Sequence, residues 1–146
     1  MLIKDIMTQD VITVSKETPL KEAAGLLAKF RVHGLPVVDG NKKVVGIVTE
    51  SDFFTKDASN IFLPTFLEFV SRGNPGDSNG ADLSEFGSKT KIEDIMTREC
   101  VTIKAGESIE QLIRHIKERN FNSMPVVDDQ NTLVGIVSIM DVIRLL

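Results

Sequence analysis

The segment LPVVDGNKKVVGIVT at residues 35–49 returns 89 positions later as MPVVDDQNTLVGIVS at residues 124–138. The same spacing relates the segment IKDIMT at residues 3–8 to IEDIMT at residues 92–97. Aligning residues 3–54 with residues 92–143 without a gap gives about 15 identities in 52 positions, a level that internal duplication explains. We therefore predict a two-fold pseudo-symmetric body with two related clefts.

Both copies predict the same order of secondary structure. Alternating residues at 11–14 and 100–103 indicate a strand, and an apolar stripe with i, i+3, i+4, i+7 spacing indicates a helix. Thr18-Pro19 and Ser108 are predicted to begin these helices. A β-hairpin and a last helix follow, the latter opening at Glu50 or Ile139. The stripes consist of Leu20, Ala23, Ala24 and Leu27 in the first copy, and Ile109, Leu112, Ile113 and Ile116 in the second.

The predicted fold is α+β, with two strand-helix-strand-strand-helix repeats packed sheet to sheet as one module. We assign residues 1–57 to the first repeat, 58–90 to a linker and 91–146 to the second repeat. The linker has no counterpart in either copy. Its apolar stretch at residues 61–70 precedes a loop rich in Gly, Ser and Asn. The stretch is either a helix packed on its own module or a subunit interface.

Composition and charge exclude several classes of function. The chain has 146 residues and a net charge of −4, with no basic face of the kind that nucleic acid requires. It has no apolar run of membrane-spanning length. The charged residues Lys4 and Asp5 lie near the N-terminus, where a signal peptide would need an apolar stretch. We therefore expect a soluble cytoplasmic protein. The histidines His33 and His115 lack a pattern that indicates a nucleophile or metal site. We therefore expect neither an enzyme nor a metal centre.

Each hairpin ends in a hydroxyl residue that is followed by an aspartate three positions later. These segments are Thr49-Glu50-Ser51-Asp52 and Ser138-Ile139-Met140-Asp141. The spacing is that of a capping box, in which these side chains would only bond the free N–H groups at the start of the helix. It would equally present free N–H groups to a phosphate and an aspartate to the two hydroxyls of a ribose. Both interpretations remain open from the residues alone.

Together these motifs resemble a tandem pair of CBS domains, the cystathionine-β-synthase-type repeat whose pair is called a Bateman module. The resemblance rests on the Asp-Ile-Met-Thr openings, the Pro-Val-Val-Asp strands and the Gly-Ile-Val-(Thr/Ser)-x-x-Asp endings, in order and twice. It implies a regulatory sensor that binds AMP, ADP or ATP, or else S-adenosylmethionine or NAD, between the repeats. It also implies a homodimer and a separate effector protein, and it needs no cofactor.

The resemblance also assigns roles to particular residues. Asp52 and Asp141 match the aspartate that holds ribose, and Thr49 and Ser138 match the hydroxyl near the phosphate. His33 matches a phosphate-facing histidine, which Asn122 replaces in the second copy. The strand that edges the adenine corresponds to Val11, Ile12 and Thr13 and to Cys100, Val101 and Thr102. The loop that closes the pocket corresponds to Gly34, Leu35 and Pro36 and to Ser123, Met124 and Pro125.

The two clefts are expected to differ. The change from His33 to Asn122 removes a group that can carry charge, so the cleft lined by His33 is predicted to take the more highly charged ligand. Neither Gly34 nor Ser123 supplies the arginine that some relatives carry beside the histidine, and this argues against tight binding of polyphosphates. The alternative to a sensor is a structural dimerisation or adaptor module that binds no nucleotide.

Overall fold

A computed structural model describes residues 1–53 and 87–146 of the chain. Most of the predicted linker, including its apolar stretch, lies outside the described residues. The described elements, in chain order, are α1 (Ile3–Ile6), α2 (Leu20–Phe30), β1 (Gly34–Val38), β2 (Val44–Thr49), a 3-10 helix (Glu50–Phe53), a 3-10 helix (Ile92–Asp94), β3 (Ile103–Lys104), α3 (Ile109–Arg119), β4 (Ser123–Val127), β5 (Leu133–Ser138) and α4 (Ile139–Ile143).

The two repeats form small sheets with the predicted hairpins at their centres. β1 pairs antiparallel with β2, and β4 pairs antiparallel with β5, each with a register shift at the same place in the hairpin. The predicted first strands are shorter than expected. In the first repeat only Val14 bridges to Val37, and in the second only β3 pairs in parallel with β4. The preceding residues Val11 and Ile12 leave the sheet and line a cleft instead.

The helices confirm the predicted stripes in part. Leu20 and Ala23 are buried on α2, whereas Ala24 is exposed, so the stripe is narrower than predicted. The predicted start at Thr18 is wrong by one residue, because Pro19 is the N-cap and the Thr18 hydroxyl accepts a hydrogen bond from the Ser15 N–H at 2.9 Å. The predicted Ser108 cap is confirmed.

The aspartate that ends each Pro-Val-Val-Asp strand holds the hairpin turn. Asp39 Oδ1 accepts from the backbone N–H groups of Lys43 and Asn41, at 3.0 and 2.8 Å. Asp128 makes the equivalent turn in the second repeat. These backbone donors, that of Lys43 first, hold the pKa of Asp39 below its ordinary value. Asp serves here as an Asx-turn residue, because its short carboxylate reaches the N–H two residues on.

The opening segment of each repeat packs on the other repeat. We call residues 2–8 the first opening segment and residues 91–97 the second. In the first, the Ile3 N–H donates to the Glu107 carbonyl at 2.9 Å. Thr8 and Ile136 exchange two backbone hydrogen bonds of 2.9 Å. In the second, Thr97 and Ile47 exchange bonds of 2.9 and 3.0 Å. The repeats are thus interlocked by an exchange within one chain.

This exchange also builds the two cores. Ile3 of the first opening segment is fully buried in the core of the second repeat, among Ile103, Leu112 and Met124. Ile92 of the second segment is fully buried in the core of the first. Burying an isoleucine side chain contributes about 1.5–3 kcal/mol. Neither repeat therefore completes its core from its own consecutive residues, and the two fold as one module.

The repeats also meet at their hairpin turns. The Val44 N–H donates to the Asn131 carbonyl at 3.2 Å, and the Leu133 N–H donates to the Lys42 carbonyl at 2.9 Å. These two bonds are related by the 89-residue spacing of the repeats. The α+β fold of two repeats is thereby confirmed. Among the described residues, every helix falls short of the length and apolar content that a membrane span requires.

The glycine in each Val-Gly-Ile-Val strand is required by the exchange. A Cβ added to Gly46 would lie 2.7 Å from the Thr97 carbonyl oxygen, and one added to Gly135 would lie 2.9 Å from that of Thr8. Both contacts are closer than side chains tolerate. The opening segment can therefore pair with the strand only where the strand has no side chain.

We expect Gly46→Ala to lower the free energy of unfolding by roughly 1–3 kcal/mol, because the new methyl group must displace backbone. Gly25→Ala is the matched control. It lies in α2 with open space around it, and we expect it to stabilise the protein by roughly 0.5–1 kcal/mol. Urea denaturation measures both changes. A Gly46→Ala variant as stable as the wild type would contradict the close approach of Thr97.

Candidate functional site

A cleft of about 570 Å³ lies between the two repeats. Its volume is within the range of small-molecule sites in proteins. The cleft is formed by the first opening segment and the residues just after it, the loops that precede β1 and β4, the end of β5 and helix α4. We call it the Asp141 cleft. Its lining consists of Thr8, Asp10, Val11, Ile12, Arg31, Val32, His33, Gly34, Asn122, Ser123, Ile136, Val137, Ser138, Ile139, Met140, Asp141 and Arg144.

Asp141 is the central acceptor of this cleft. Its Oδ2 accepts from the Ser138 N–H at 2.7 Å and from the Ser138 hydroxyl at 3.1 Å, so the predicted capping interaction is present. Its Oδ1 accepts from Arg144 Nη1 at 3.1 Å. The Arg144 side chain is 70% exposed, and exposed ion pairs contribute only about 0–1 kcal/mol. Oδ1 is therefore held in place but can exchange its partner for a ligand hydroxyl.

Asp52, the counterpart of Asp141, has a different environment. Its Oδ2 accepts from the Thr49 N–H at 2.8 Å, as in the second repeat. Its Oδ1, however, accepts from the Thr97 hydroxyl of the second opening segment at 3.0 Å. Asp52 is only 4% exposed. The carboxylate thus ties the exchanged segment to the first repeat, and a ligand would have to compete with that bond.

Arg31 lines the cleft with a positively charged side chain, and its backbone has a conformation that is unfavourable for residues other than glycine. It ends α2 with φ of 52°, in the left-handed region. The counterpart in the second repeat is Asn120, with φ of 58°, and asparagine tolerates this conformation better. Arg31 makes no ion pair with the residues that the structure describes. Its guanidinium is therefore the open positive charge of the lining.

His33 also lines the cleft, but it has a partner of its own. Its Nδ1 lies 3.1 Å from Glu50 Oε1, and both side chains are more than half exposed. An ionised carboxylate only accepts hydrogen bonds, so the ring N–H is the donor. In the second repeat, Asn122 corresponds to His33 and Ile139 corresponds to Glu50. Ile139 has no carboxylate that could pair with Asn122. The pair is thus a feature of the first repeat alone.

The structure brings eight of the predicted site residues into this one cleft: Val11, Ile12, His33, Gly34, Asn122, Ser123, Ser138 and Asp141. Residues from both repeats are needed to line it. Four others lie in the core strands, fully or almost fully buried: Leu35, Pro36, Met124 and Pro125. Thr13 lines a separate pocket beside the Asp39 turn.

The remaining predicted residues line neither of these two pockets, and Thr49 and Asp52 among them are the counterparts of Ser138 and Asp141. They include Cys100, Val101 and Thr102, which correspond to Val11, Ile12 and Thr13. Burial raises the pKa of the Cys100 thiol, which keeps it protonated and unreactive at neutral pH. The position that corresponds to Arg144 is Thr55, which lies outside the described residues.

Sequence reasoning missed the two arginines of the cleft. Arg144 follows Asp141 by three positions, a spacing that places both on one side of a helical turn, so the pair could have been predicted. Arg31 carries no such signal, since only the fold shows that the end of α2 faces the second repeat. The other missed lining residues are Thr8, Asp10, Val32, Ile136, Val137, Ile139 and Met140. Within residues 1–53 and 87–146, no group of three or more His, Cys, Asp or Glu side chains could hold a metal.

The fold defines a module of two repeats with a cleft that both repeats line. The family model for the CBS domain matches residues 3–59 and 92–146. The chain belongs to the CBS domain family. It is 31% identical over 157 residues to the uncharacterised protein MJ1426 of Methanocaldococcus jannaschii, and covers 91% of that protein. It is 31% identical over 144 residues to the L-aspartate semialdehyde sulfurtransferase of the same organism, but spans only 23% of that enzyme.

Two similar solved structures contain adenosine compounds. The CBS domain pair of protein MJ0100, in complex with 5′-methylthioadenosine and S-adenosyl-L-methionine, is 30% identical with a TM-score of 0.72. The alignment covers 99% of this chain and 98% of that one. CBSX2 of Arabidopsis thaliana in complex with AMP is 26% identical, also with a TM-score of 0.72. That alignment covers 99% of this chain and 94% of CBSX2.

We expect Arg31→Asn to raise the free energy of unfolding by about 0.5–1 kcal/mol, because asparagine enters the left-handed region at lower cost. Lys42→Asn is the matched variant outside the cleft, since Lys42 has φ of 61° and its counterpart Asn131 has φ of 65°. Thermal denaturation should show both variants melting about 1–4 °C higher. A fall in melting temperature for both would contradict the left-handed conformation at these positions.

Proposed function

We propose that this protein is a regulatory module that binds an adenosine-containing ligand in the Asp141 cleft. The proposal is carried by the position of Asp141, which lines the cleft beside an apolar wall and whose Oδ1 is bonded to the exposed Arg144. Val11 and Ile12 supply that wall for a flat base, and the carboxylate can accept hydrogen bonds from both ribose hydroxyls. Such charge-assisted bonds contribute on the order of 1.5–3 kcal/mol each. The adenosine compounds bound by MJ0100 and CBSX2 support this ligand class.

Signalling would follow from the interlocked repeats. The cleft is lined by both repeats and by Thr8 of the first opening segment, so a ligand there contacts the elements that hold the two repeats together. A ligand that favours one arrangement of these elements shifts the population toward it, by no more than its difference in affinity. We infer that this shift regulates another protein or domain. Binding rather than catalysis is favoured because the Ser138 hydroxyl, which donates to Asp141 in the cleft, is engaged with that carboxylate in the cap of α4.

We expect Asp141→Asn to weaken the binding of adenosine ligands by roughly 10–100-fold, because the amide removes the charge from the hydrogen bonds to ribose. Isothermal titration calorimetry with AMP, ATP and S-adenosylmethionine measures this. The matched control is Asp5→Asn. Asp5 caps the Leu2 N–H at 2.8 Å with the same spacing of three residues, but lies outside the cleft.

Equal affinities of the wild type and Asp141→Asn would place the ligand elsewhere. If both variants weakened ligand binding to the same extent, the loss would come from the missing capping hydrogen bond and not from a contact with the ligand. If the wild type binds none of the three compounds, the alternative of a structural module without a nucleotide ligand is favoured.

We further propose a homodimer, as the family resemblance implies. Ile143 and Leu145 are each about half exposed and are not among the cleft-lining residues, so they offer an apolar surface that a second copy could cover. Light scattering is expected to give twice the chain mass of 16.1 kDa. A single-chain mass at micromolar concentration would contradict the dimer, while leaving ligand binding to be judged by calorimetry.

A further inference from the structure

The Asp141 cleft has no excess of positive charge. Its basic lining residues are Arg31 and Arg144, and its acidic ones are Asp10 and Asp141. The charges of these two arginines and two aspartates cancel. Arg144 is paired with Asp141, and the other two charged residues of the described lining, Arg31 and Asp10, have opposite signs. A phosphate monoester carries about −1.5 to −2 charges at neutral pH, which this lining does not balance.

Glu50 engages His33, another lining side chain that could bind an anion. The His33 imidazole could donate a hydrogen bond to a phosphate, but its Nδ1 is 3.1 Å from Glu50 Oε1. Protonation of His33 would add a charge that Glu50 offsets directly. Because both side chains are exposed, the pair contributes little to stability, about 0–1 kcal/mol. Its main effect is to place a carboxylate next to the histidine at the edge of the cleft.

The other lining side chains favour an uncharged substituent. Val32, Ile136, Ile139 and Met140 are apolar, and Met140 is 45% exposed. A methionine thioether is polarisable and packs well against other sulfur-containing or apolar groups. Beside these side chains, desolvating a multiply charged phosphate would be costly.

We propose that the cleft selects adenosine ligands whose 5′ substituent has no net negative charge, such as a thioether or a sulfonium group, and that Glu50 sets this selectivity by holding His33. This inference rests on the proposed function and deepens it. It reverses the expectation that the cleft lined by His33 takes the more highly charged ligand. Glu50 is a positioning residue here, since it acts on the ligand through the imidazole.

Calorimetry at constant ionic strength with 5′-methylthioadenosine, S-adenosylmethionine, AMP and ATP tests the selectivity. The wild type should bind 5′-methylthioadenosine at least about tenfold more tightly than ATP. Glu50→Gln should tighten the binding of AMP and ATP by roughly fivefold, the net effect of one hydrogen bond, because the released imidazole N–H can then donate to the phosphate. The affinity for 5′-methylthioadenosine should be unchanged. Glu118→Gln, an exposed change of equal charge on α3 outside the cleft, should alter none of them.

The double variant His33→Gln/Glu50→Gln separates an effect through the histidine from a direct one. The double variant should bind ATP less than about twofold more tightly than His33→Gln alone. A full fivefold gain there would overturn the role of His33. ATP binding as tight as 5′-methylthioadenosine in the wild type, or an equal gain in Glu118→Gln, would overturn the selectivity while leaving the proposed function intact. Absence of binding by all four compounds would overturn the proposed function and this inference with it.

Discussion

Two reciprocal pairs of backbone hydrogen bonds, Thr8 with Ile136 and Thr97 with Ile47, hold the opening segment of each repeat on the other repeat. They require that β2 and β5 have a glycine where the segments cross, because a methyl group at Gly46 or Gly135 would meet a carbonyl oxygen. Ile3 and Ile92 then complete each core from outside. A repeat of about 55 residues would be marginal alone, and the exchange joins two marginal cores into one cooperative unit.

The exchange also explains why the cleft depends on both repeats. Thr8 reaches the second repeat as part of the first opening segment, and Val11 and Ile12 follow it across the boundary. The ribose-binding candidate Asp141 therefore faces side chains that precede it by about 130 positions. A ligand in this cleft would contact the same segment that interlocks the module, which gives binding a direct route to the arrangement of the repeats.

The two halves differ at several polar residues. Asp52 accepts from the hydroxyl of Thr97 and is buried, whereas Asp141 accepts from the exposed Arg144. The end of α2 carries Arg31 where that of α3 carries Asn120, at similar φ angles. The backbone symmetry is thus kept while the charges differ. Such divergence leaves the fold unchanged, because these side chains are at the edges of the cores, and it changes what each side of the module can bind.

Much of this protein could be predicted from its residues because the chain repeats itself. The duplication, the hairpins, the Ser108 cap and the aspartates three residues after each hairpin are local patterns with local physical causes, namely strand alternation, turn chemistry and capping. The strand predicted at residues 11–14 is too long, because only Val14 pairs with the sheet. Val11 and Ile12 line the cleft instead, and the packing of the two repeats, which creates the cleft, is not visible in the local pattern of residues. What the residues determined was two copies of one fold with a paired set of candidate ligand groups. What only the tertiary structure decided was the exchange of opening segments, the position of Arg31 and Asp141 in the lining of one cleft, and the pairing of His33 with Glu50. These are contacts between residues distant in the chain, and their charge balance exists only once the two repeats are packed together.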